Sequence, residues 1–310
     1  MEHQSVLLHE TVDLLQVRKD GIYVDGTLGR GGHAKLLCSK LENGHLYAFD
    51  KDEQALQESA EVLHEYRDKI TLIHADYKSI RRELESRGVM GIDGIMMDLG
   101  VSSPQFDDPA RGFSYRFDAK LDMRMDQTQR ISAYEVVNTY TAQQLTAILR
   151  EYGEERYASS IARHIVQERI KLPIETTLQL VDVIRQSLPN SELRKKGHPA
   201  KQTFQALRIE VNDELTSLRA GLSDACQMLN LHGKAAVITF QSLEDRIVKT
   251  LFKDLSTAPF VESKLPLKAS QMEQASFSLL NKHPILAKSE ELEENHRSHS
   301  AKLRGIEKIR

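Results

Sequence analysis

Apolar positions along the first hundred residues fall into an alternating series of short runs and helical stripes. The run Ile22–Val24 ends in Asp25, breaks at the glycine-rich Gly26-Thr-Leu-Gly-Arg-Gly-Gly32, and gives way to the helical pattern Ala34–Leu41. A second run, Leu46–Phe49, ends in Asp50 and precedes a helical stripe around Glu53–His64. A third, Ile70–His74, leads through Ala75-Asp76-Tyr77 into a helix near Ser79–Ser86, and a fourth, Gly94–Met97, ends in Asp98. Strands separated by helical crossovers predict a parallel, doubly wound sheet. Ligands of such sheets sit outside the carboxyl ends of the strands. Asp25, Asp50, Asp76/Tyr77 and Asp98 all fall at such ends, as one shared pocket would require.

The alternation stops at Leu99. From Phe106 to about Gln205 only turns and helical patterns follow: Ala133–Asn138, Ala142–Glu151, Glu154–Arg169 and Thr177–Leu188. A long helix over Thr203–Leu229 is expected next, then a fifth strand over Lys234–Phe240. The economical reading is a discontinuous α/β domain, 1–105 and 206–310, carrying an all-helical insertion, 106–205. The insertion holds 15 Lys and Arg against 13 Asp and Glu, a balance of +2, so that the rest of a chain of net charge −3 carries −5. This asymmetry, with the cluster Arg194-Lys-Lys196 and Lys201, favours the insertion as the part facing a polyanion, although a solvated loop accounts for the cluster equally well.

Composition narrows the class. In 310 residues, 40% hydrophobic and 28% charged, the chain reads as an ordinary globular protein. Its two cysteines, Cys38 and Cys226, lie far apart within helical patterns, which predicts reduced thiols, no zinc site and a cytoplasmic setting. No signal peptide is read at the N-terminus and no apolar run approaches the ~20 residues of a membrane span. Neither a metal nor a membrane partner is expected.

The glycine turn admits two adenosine cofactors. Gly29-Arg-Gly-Gly-His-Ala34 fits the dinucleotide pattern and Asp50 lies at the distance expected for a ribose-binding acid, so an NAD-dependent oxidoreductase is one reading. S-adenosyl-L-methionine is the other: Asp25 can accept from its amine, while Gly31, Gly32 and His33 at the helix start suit its carboxylate. His33 can equally be a helix-face residue. The sequence after the fourth strand bears on this choice. Asp98-Leu-Gly-Val-Ser-Ser-Pro-Gln105 resembles the acid-or-Ser/Pro motif of methyltransferases acting on exocyclic amines. Such an amine has its lone pair delocalised into the ring, so oxygen acceptors on a rigid turn must hold its N–H groups before it attacks a sulfonium methyl. A structural Ser-Pro turn is the plain alternative.

Blocks along nearly the whole chain resemble the RsmH (MraW) family of bacterial methyltransferases. They include His3–Leu8, Asp25–His33, Asp98–Gln105, Arg111-Gly-Phe-Ser114, Leu121-Asp-Met-Arg-Met-Asp126, Gly153-Glu-Glu-Arg156, His198-Pro-Ala200, Phe204–Ile209, Val211–Leu215, Ser242–Lys249 and Ser300–Arg304. The resemblance implies a Rossmann-like class I S-adenosylmethionine-dependent methyltransferase sheet with a helical insertion. It also implies methylation of N4 of a cytosine in the decoding region of 16S rRNA, on the small ribosomal subunit. Carried over by motif, Gly31, Gly32 and His33 contact the cofactor, Asp50 its ribose and Tyr77 its adenine, and Asp98 and Gln105 flank its methionine and methyl end. Asp98 with Ser102, Ser103 and Pro104 would orient the amine. Asp76 reads either as an adenine contact or as a turn former.

Other blocks keep two readings. Arg124 meets RNA phosphate or pairs with a neighbouring Asp; Phe113, Tyr115 and Phe117 stack a flipped base or pack a core; Asn295–Arg304 is an RNA arm, a docked strand or a frayed tail. The acids of Ser242-Leu-Glu-Asp-Arg246 serve as helix caps. The chain departs from the family pattern at Lys201-Gln202, where Thr-Arg is expected, at Gln241, where His is expected, and at His299, where relatives often have Arg. Gln241 cannot act as a general base. A non-catalytic RNA-binding assembly factor is therefore a third reading, and the oligomeric state, a homodimer included, is open.

Overall fold

The computed structural model describes residues 5–258 and 274–310. His3 and Gln4 of the first family-like block lie outside them. The strands are β1 (Ile22–Asp25), β2 (His45–Asp50), β3 (Ile70–His74), β4 (Ile92–Asp98), β5 (Leu229–Thr239), β6 (Phe277–Leu279) and β7 (Lys302–Lys308). The helices are α1 (Leu8–Leu14), α2 (Gly32–Lys40), α3 (Glu53–Val62), α4 (Ile80–Glu85), α5 (Ser103–Asp107), α6 (Ala133–Thr139), α7 (Ala142–Glu151), α8 (Ala158–Lys171), α9 (Thr177–Gln186), α10 (Asn190–Leu193), α11 (Lys201–Asn212), α12 (Glu214–Met228), α13 (Ser242–Leu255) and α14 (Ser289–Glu294). Among the described residues no helix is long and apolar enough to cross a membrane.

Two compact units form, one of residues 1–100 and 215–310 and the other of 101–214. The first carries a seven-stranded sheet of order β3-β2-β1-β4-β5-β7-β6. Its five strands from β3 to β5 run parallel, whereas β7 is antiparallel to both β5 and β6. The chain winds outward from β1 through β2 and β3, then returns to β1's other side as β4. This Rossmann-like winding puts the topological switch point between β1 and β4, where the crevice of an open sheet lies. The register sets Asp25 opposite Met96 on one side and Ala48 on the other. Tyr23, Leu37, Leu46, Met96, Ile238 and Leu303 are buried in the core that fixes this arrangement.

The second unit is helical, and its helices start where the sequence supplies caps. Ser132 with Glu135, Thr141 with Gln144 and Thr176 with Gln179 form reciprocal capping boxes ahead of α6, α7 and α9. Its core runs from Phe113 and Leu121 through Leu145, Ile161 and Leu180 to Phe204 and Leu207. Gly153 is obligatory here: a Cβ on it would sit 2.7 Å from the carbonyl oxygens of both Leu149 and Gln202.

Several elements depart from the sequence expectations. The units change over at 100/101 and 214/215, not at 105/106 and 205/206, because α11 packs Phe204, Leu207 and Val211 into the helical core. The helix expected over Thr203–Leu229 is two helices. Asp213 adopts a left-handed conformation (φ 51°), and Asn212 spends its side chain on a distant loop, accepting from Met125 N–H and donating to the Met123 carbonyl, both at 2.8 Å. The helix expected from Glu154 starts at Ala158, since Glu154 has φ 50° and the Glu155 carboxylate accepts the Tyr157 N–H. Strand five begins at Leu229, with a register irregularity against β4 between Ile92 and Gly94. The terminal segment ends as the docked strand β7.

Candidate active site

The glycine turn is shaped by hydrogen bonds to its neighbours at the strand tips. Asp25, almost wholly buried, accepts the Thr27 N–H at 3.0 Å. The chain then passes under β2, with Leu28 N–H donating to the Phe49 carbonyl and Gly29 N–H to Asp50 Oδ2, each at 2.9 Å. Gly29 (φ 52°) and Gly31 (φ 75°) lie in the left-handed region that side chains disfavour, which is why this turn needs glycine. Gly31 is the N-cap of α2, so the first N–H groups of that helix open beside the turn. Ser59 Oγ donates to the Gly29 carbonyl at 2.6 Å and ties α3 to the same loop.

Asp50 has room for two further donors. One carboxylate oxygen takes the Gly29 N–H and the other the Asp52 N–H, each at 2.9 Å, leaving one lone-pair direction on each. Asp98 is held at its backbone by Thr27, whose Oγ1 accepts the Asp98 N–H at 2.6 Å. Its Oδ1 is buried without a hydrogen-bond partner among the described residues. Its Oδ2 lies 3.9 Å from His33 Nδ1. His33 Nε2 faces the Val6 carbonyl at 3.1 Å and therefore carries the ring proton there.

Burial dominates the electrostatics. It pushes Asp25 up to about 7, with the Thr27 N–H opposing and the Asp50 charge assisting. Asp50 is raised to about 6 by burial, against the two N–H groups it accepts. Asp98 rises furthest, to about 8, through burial and then the charges of Asp25, Glu244 and Glu291. Burial lowers His33 to about 4, so at neutral pH the ring is uncharged and its approach to Asp98 is no ion pair. The sheet unit thus carries three carboxyl groups of raised pKa, and among the described residues no Lys or Arg pairs with Asp98. Such a place favours a positively charged ligand.

At the tip of β3, Asp76 is fully engaged. It accepts from Lys51 Nζ at 2.9 Å, Ser217 Oγ at 3.0 Å and its own turn's Lys78 N–H at 2.9 Å, so it forms the turn. Tyr77 is half-buried and seated against Gly221 of α12, where a Cβ would come within 2.8 Å of the Tyr77 ring and 2.7 Å of its carbonyl oxygen. The Tyr77 ring is therefore held in a set place beside α12.

The sheet unit brings together Gly31, Gly32, His33, Asp50, Tyr77 and Asp98. Ser102 to Gln105 follow Asp98 in the chain but belong to the helical unit. There the Ser102 N–H donates to Gln105 Oε1 at 3.1 Å, which rigidifies the turn into α5, and Gln105 is buried. Ser103 and Pro104 open α5; their side chains lie outside the described residues. Residue reading missed Thr27, Ser59 and the N-terminal wall. Ser5 sits against Gly32, where any Cβ would collide with its Oγ, and the Leu7 N–H donates to Glu291 Oε1 at 2.8 Å. Thr27 could have been suspected from its place inside the turn; the Glu291 contact spans 284 residues and leaves no local sign.

Residues that kept two readings in the sequence have these surroundings in the fold. Arg124 pairs with Asp122 through Nε at 2.9 Å and Nη2 at 2.7 Å and also donates to the Gln129 carbonyl, so it holds its own loop. Phe113 is core, Tyr115 stacks on His198, and Phe117 is exposed. Glu244 caps α13 by accepting the Phe240 and Gln241 N–H groups, and Gln241 Nε2 donates to it at 3.0 Å. Arg304 of β7 is committed to Asp245, at 2.7 Å.

Known proteins resemble this chain along its whole length. A family model described as the MraW methylase family matches residues 1–309. A ribosomal RNA small subunit methyltransferase H of Oenococcus oeni is 52% identical over 308 residues, which cover 99% of this chain and 98% of that one. An rRNA methylase structure from Streptococcus thermophilus superposes with a TM-score of 0.45 at 12% identity, over 100% of this chain and 99% of that one. On the strength of the family match over its whole length and the 52% identity, the chain belongs to the MraW methylase family.

Proposed function

We propose that the chain is an S-adenosyl-L-methionine-dependent methyltransferase of small-subunit ribosomal RNA, acting on N4 of a cytosine in the decoding region of 16S rRNA in the assembled subunit. The observation that carries the cofactor reading is the buried, unpartnered Oδ1 of Asp98 among three carboxyl groups of raised pKa. A cationic ligand meets that need, and S-adenosylmethionine carries both an ammonium and a sulfonium charge. A nicotinamide dinucleotide would instead bring phosphates toward these acids. The small-subunit RNA as substrate is supported by the name of the Oenococcus oeni relative. The N4 position rests on the Asp98–Gln105 motif.

In this reading Asp50 takes the two ribose hydroxyls on its remaining lone pairs, and Tyr77 lies along the adenine. Gly31, Gly32 and His33 receive the methionine carboxylate at the start of α2, where unpaired N–H groups favour an anion. Asp98 faces the positively charged end. The bound cofactor supplies an electrophilic methyl carbon. Ser102, Ser103 and Pro104 offer oxygen acceptors that hold the amine N–H groups, with Gln105 bracing the turn. Methyl transfer to the nitrogen held by this turn would leave the S–C electron pair on the cofactor's sulfur and release one amine proton to water. The helical unit supplies the RNA contacts.

The direct test is transfer of a labelled methyl group to 30S particles that lack the modification, followed by nucleoside digestion. Label in N4-methylcytidine is expected; label absent from cytosine eliminates the reading.

A further inference from the structure

The helical unit carries a cationic and aromatic surface that no contact within the fold explains. Its centre is His198. Gly197, at φ 108°, turns the chain so that His198 precedes α11, and the ring lies flat on Tyr115, with centroids 4.3 Å apart and planes 11° from parallel. Phe204 braces Tyr115 from the other direction, edge-on at 5.6 Å. His198 Nδ1 accepts the Ala200 N–H at 3.3 Å, which places the ring proton on Nε2. That Nε2–H has no partner among the described residues.

The charges that act most on it are positive. Burial lowers the His198 pKa first, and then the positive fields of Arg185 and Arg116 lower it further, so both guanidinium groups act on the ring and no carboxylate figures among the causes. Arg116 and Arg185 are exposed, and among the described residues neither forms an ion pair. Among the described residues neither Asp118, which accepts the Leu178 N–H at 3.4 Å, nor Asp182 forms an ion pair with either arginine. Exposed Arg194, Lys196 and Lys201 flank His198 along the chain, while Lys195 is held by Glu192. Elsewhere in the same unit arginines are consumed internally, as Arg124 and Arg208 are. Two guanidinium groups that form no ion pair among the described residues and whose fields reach an oriented, neutral N–H donor match a phosphodiester, whose oxygens accept both charge-assisted and neutral hydrogen bonds.

We propose that Tyr115-supported His198, with Arg116 and Arg185, is where the helical unit grips the phosphodiester backbone of its RNA substrate. The proposal rests on the RNA methyltransferase reading and names the surface that reading lacks. Lys201 adds a point charge at the first residue of α11, which offsets the absence of arginine at Gln202.

The test uses the full chain with a fluorescein-labelled single-stranded RNA, titrated across salt concentrations, and with 30S particles for the KM of methyl transfer. Arg116→Glu with Arg185→Glu should weaken RNA binding by about tenfold or more near 0.1 M salt. It should also flatten the plot of log K against log salt by about 1.4, the change for two phosphates no longer neutralised on a single strand. The KM for 30S particles should rise with it. Arg116→Gln with Arg185→Gln removes the charges without reversing them and should flatten the slope equally; near-ultraviolet circular dichroism checks the fold of both. His198→Phe keeps the stack and loses the donor, so it should weaken binding about threefold with the slope unchanged. Wild-type RNA affinity, salt slope and KM in both double variants would overturn the surface while leaving the methyltransferase reading intact. Equal displacement of the RNA by poly-glutamate at matched charge would overturn it in favour of an acidic protein partner. Absence of methyl transfer by the wild type would remove the reading beneath it.

Discussion

The sheet unit and the helical unit each hold an acid where an element ends or a loop turns, yet Asp98 of the first and Asp122 of the second are treated in opposite ways. In the helical unit burial alone would raise Asp122, but the Arg124 guanidinium and N–H hold it below the usual carboxylate range. Arg208 and Glu214 likewise join in a twofold contact, both bonds 2.7 Å long. At the tip of β4, among the described residues, no such cation answers Asp98, whose pKa rises to about 8. An acid that the fold has paired is part of the scaffold. One whose buried oxygen has no partner among the described residues suits a cationic ligand, because ionising it without compensation is costly in the free protein.

That contrast can be broken first at Asp98. Asp98→Ala should weaken S-adenosylmethionine binding and kcat/KM together by about a hundredfold, as removal of a buried charged partner does; calorimetry and a methyl-transfer assay give the two numbers, and unchanged values would place Asp98 outside the pocket. Arg124→Ala should do the converse. It should cost about 2 kcal/mol of stability in urea unfolding by stranding Asp122, without altering cofactor affinity. A smaller effect is expected at Gly221. Glycine to alanine within a helix normally gains about 1 kcal/mol, but here the new methyl meets the Tyr77 backbone. Gly221→Ala should therefore lose about 1 kcal/mol instead and weaken cofactor binding severalfold; a higher melting temperature would refute the seating of Tyr77.

The smallest effect concerns pH. Asp25 and Asp98 have folded pKa values above their unfolded ones, so the native state binds more protons and its stability is lost as pH rises through about 7 and 8. His33 has the reverse sign, its contribution growing as pH rises from about 4 to 6.5 and then remaining constant. Between pH 6.5 and 8 the ligand-free protein should thus lose melting temperature relative to Asp98→Asn, and saturating cofactor should remove the difference.

The same contrast explains what could be read from residues alone. The glycine turn and the acids at strand ends are local signals, since positive φ and strand termination are decided within a few residues. Asp98's lack of a partner is not local. It follows from the β1–β4 register that places Thr27 on its backbone and His33 beside its carboxylate. In the helical unit, capping boxes give their positions away, but the break at Asp213 does not, because Asn212 is satisfied by carbonyl and N–H groups nearly ninety residues earlier. Arg304 looks like a free basic residue in sequence until β7 returns beside β5 and brings it to Asp245. Pairing in the fold, local for Arg124 and distant for Arg304, marks scaffold charges in a way that residue type does not.

The most direct test of an unanswered acid at the cofactor site is proton release on binding. Calorimetric titration of S-adenosylmethionine at pH 7, in two buffers of different ionisation enthalpy, should show more protons released by the wild type than by Asp98→Asn, since the cation drives ionisation of Asp98. Equal proton counts for the two proteins, with binding intact in both, would contradict the account.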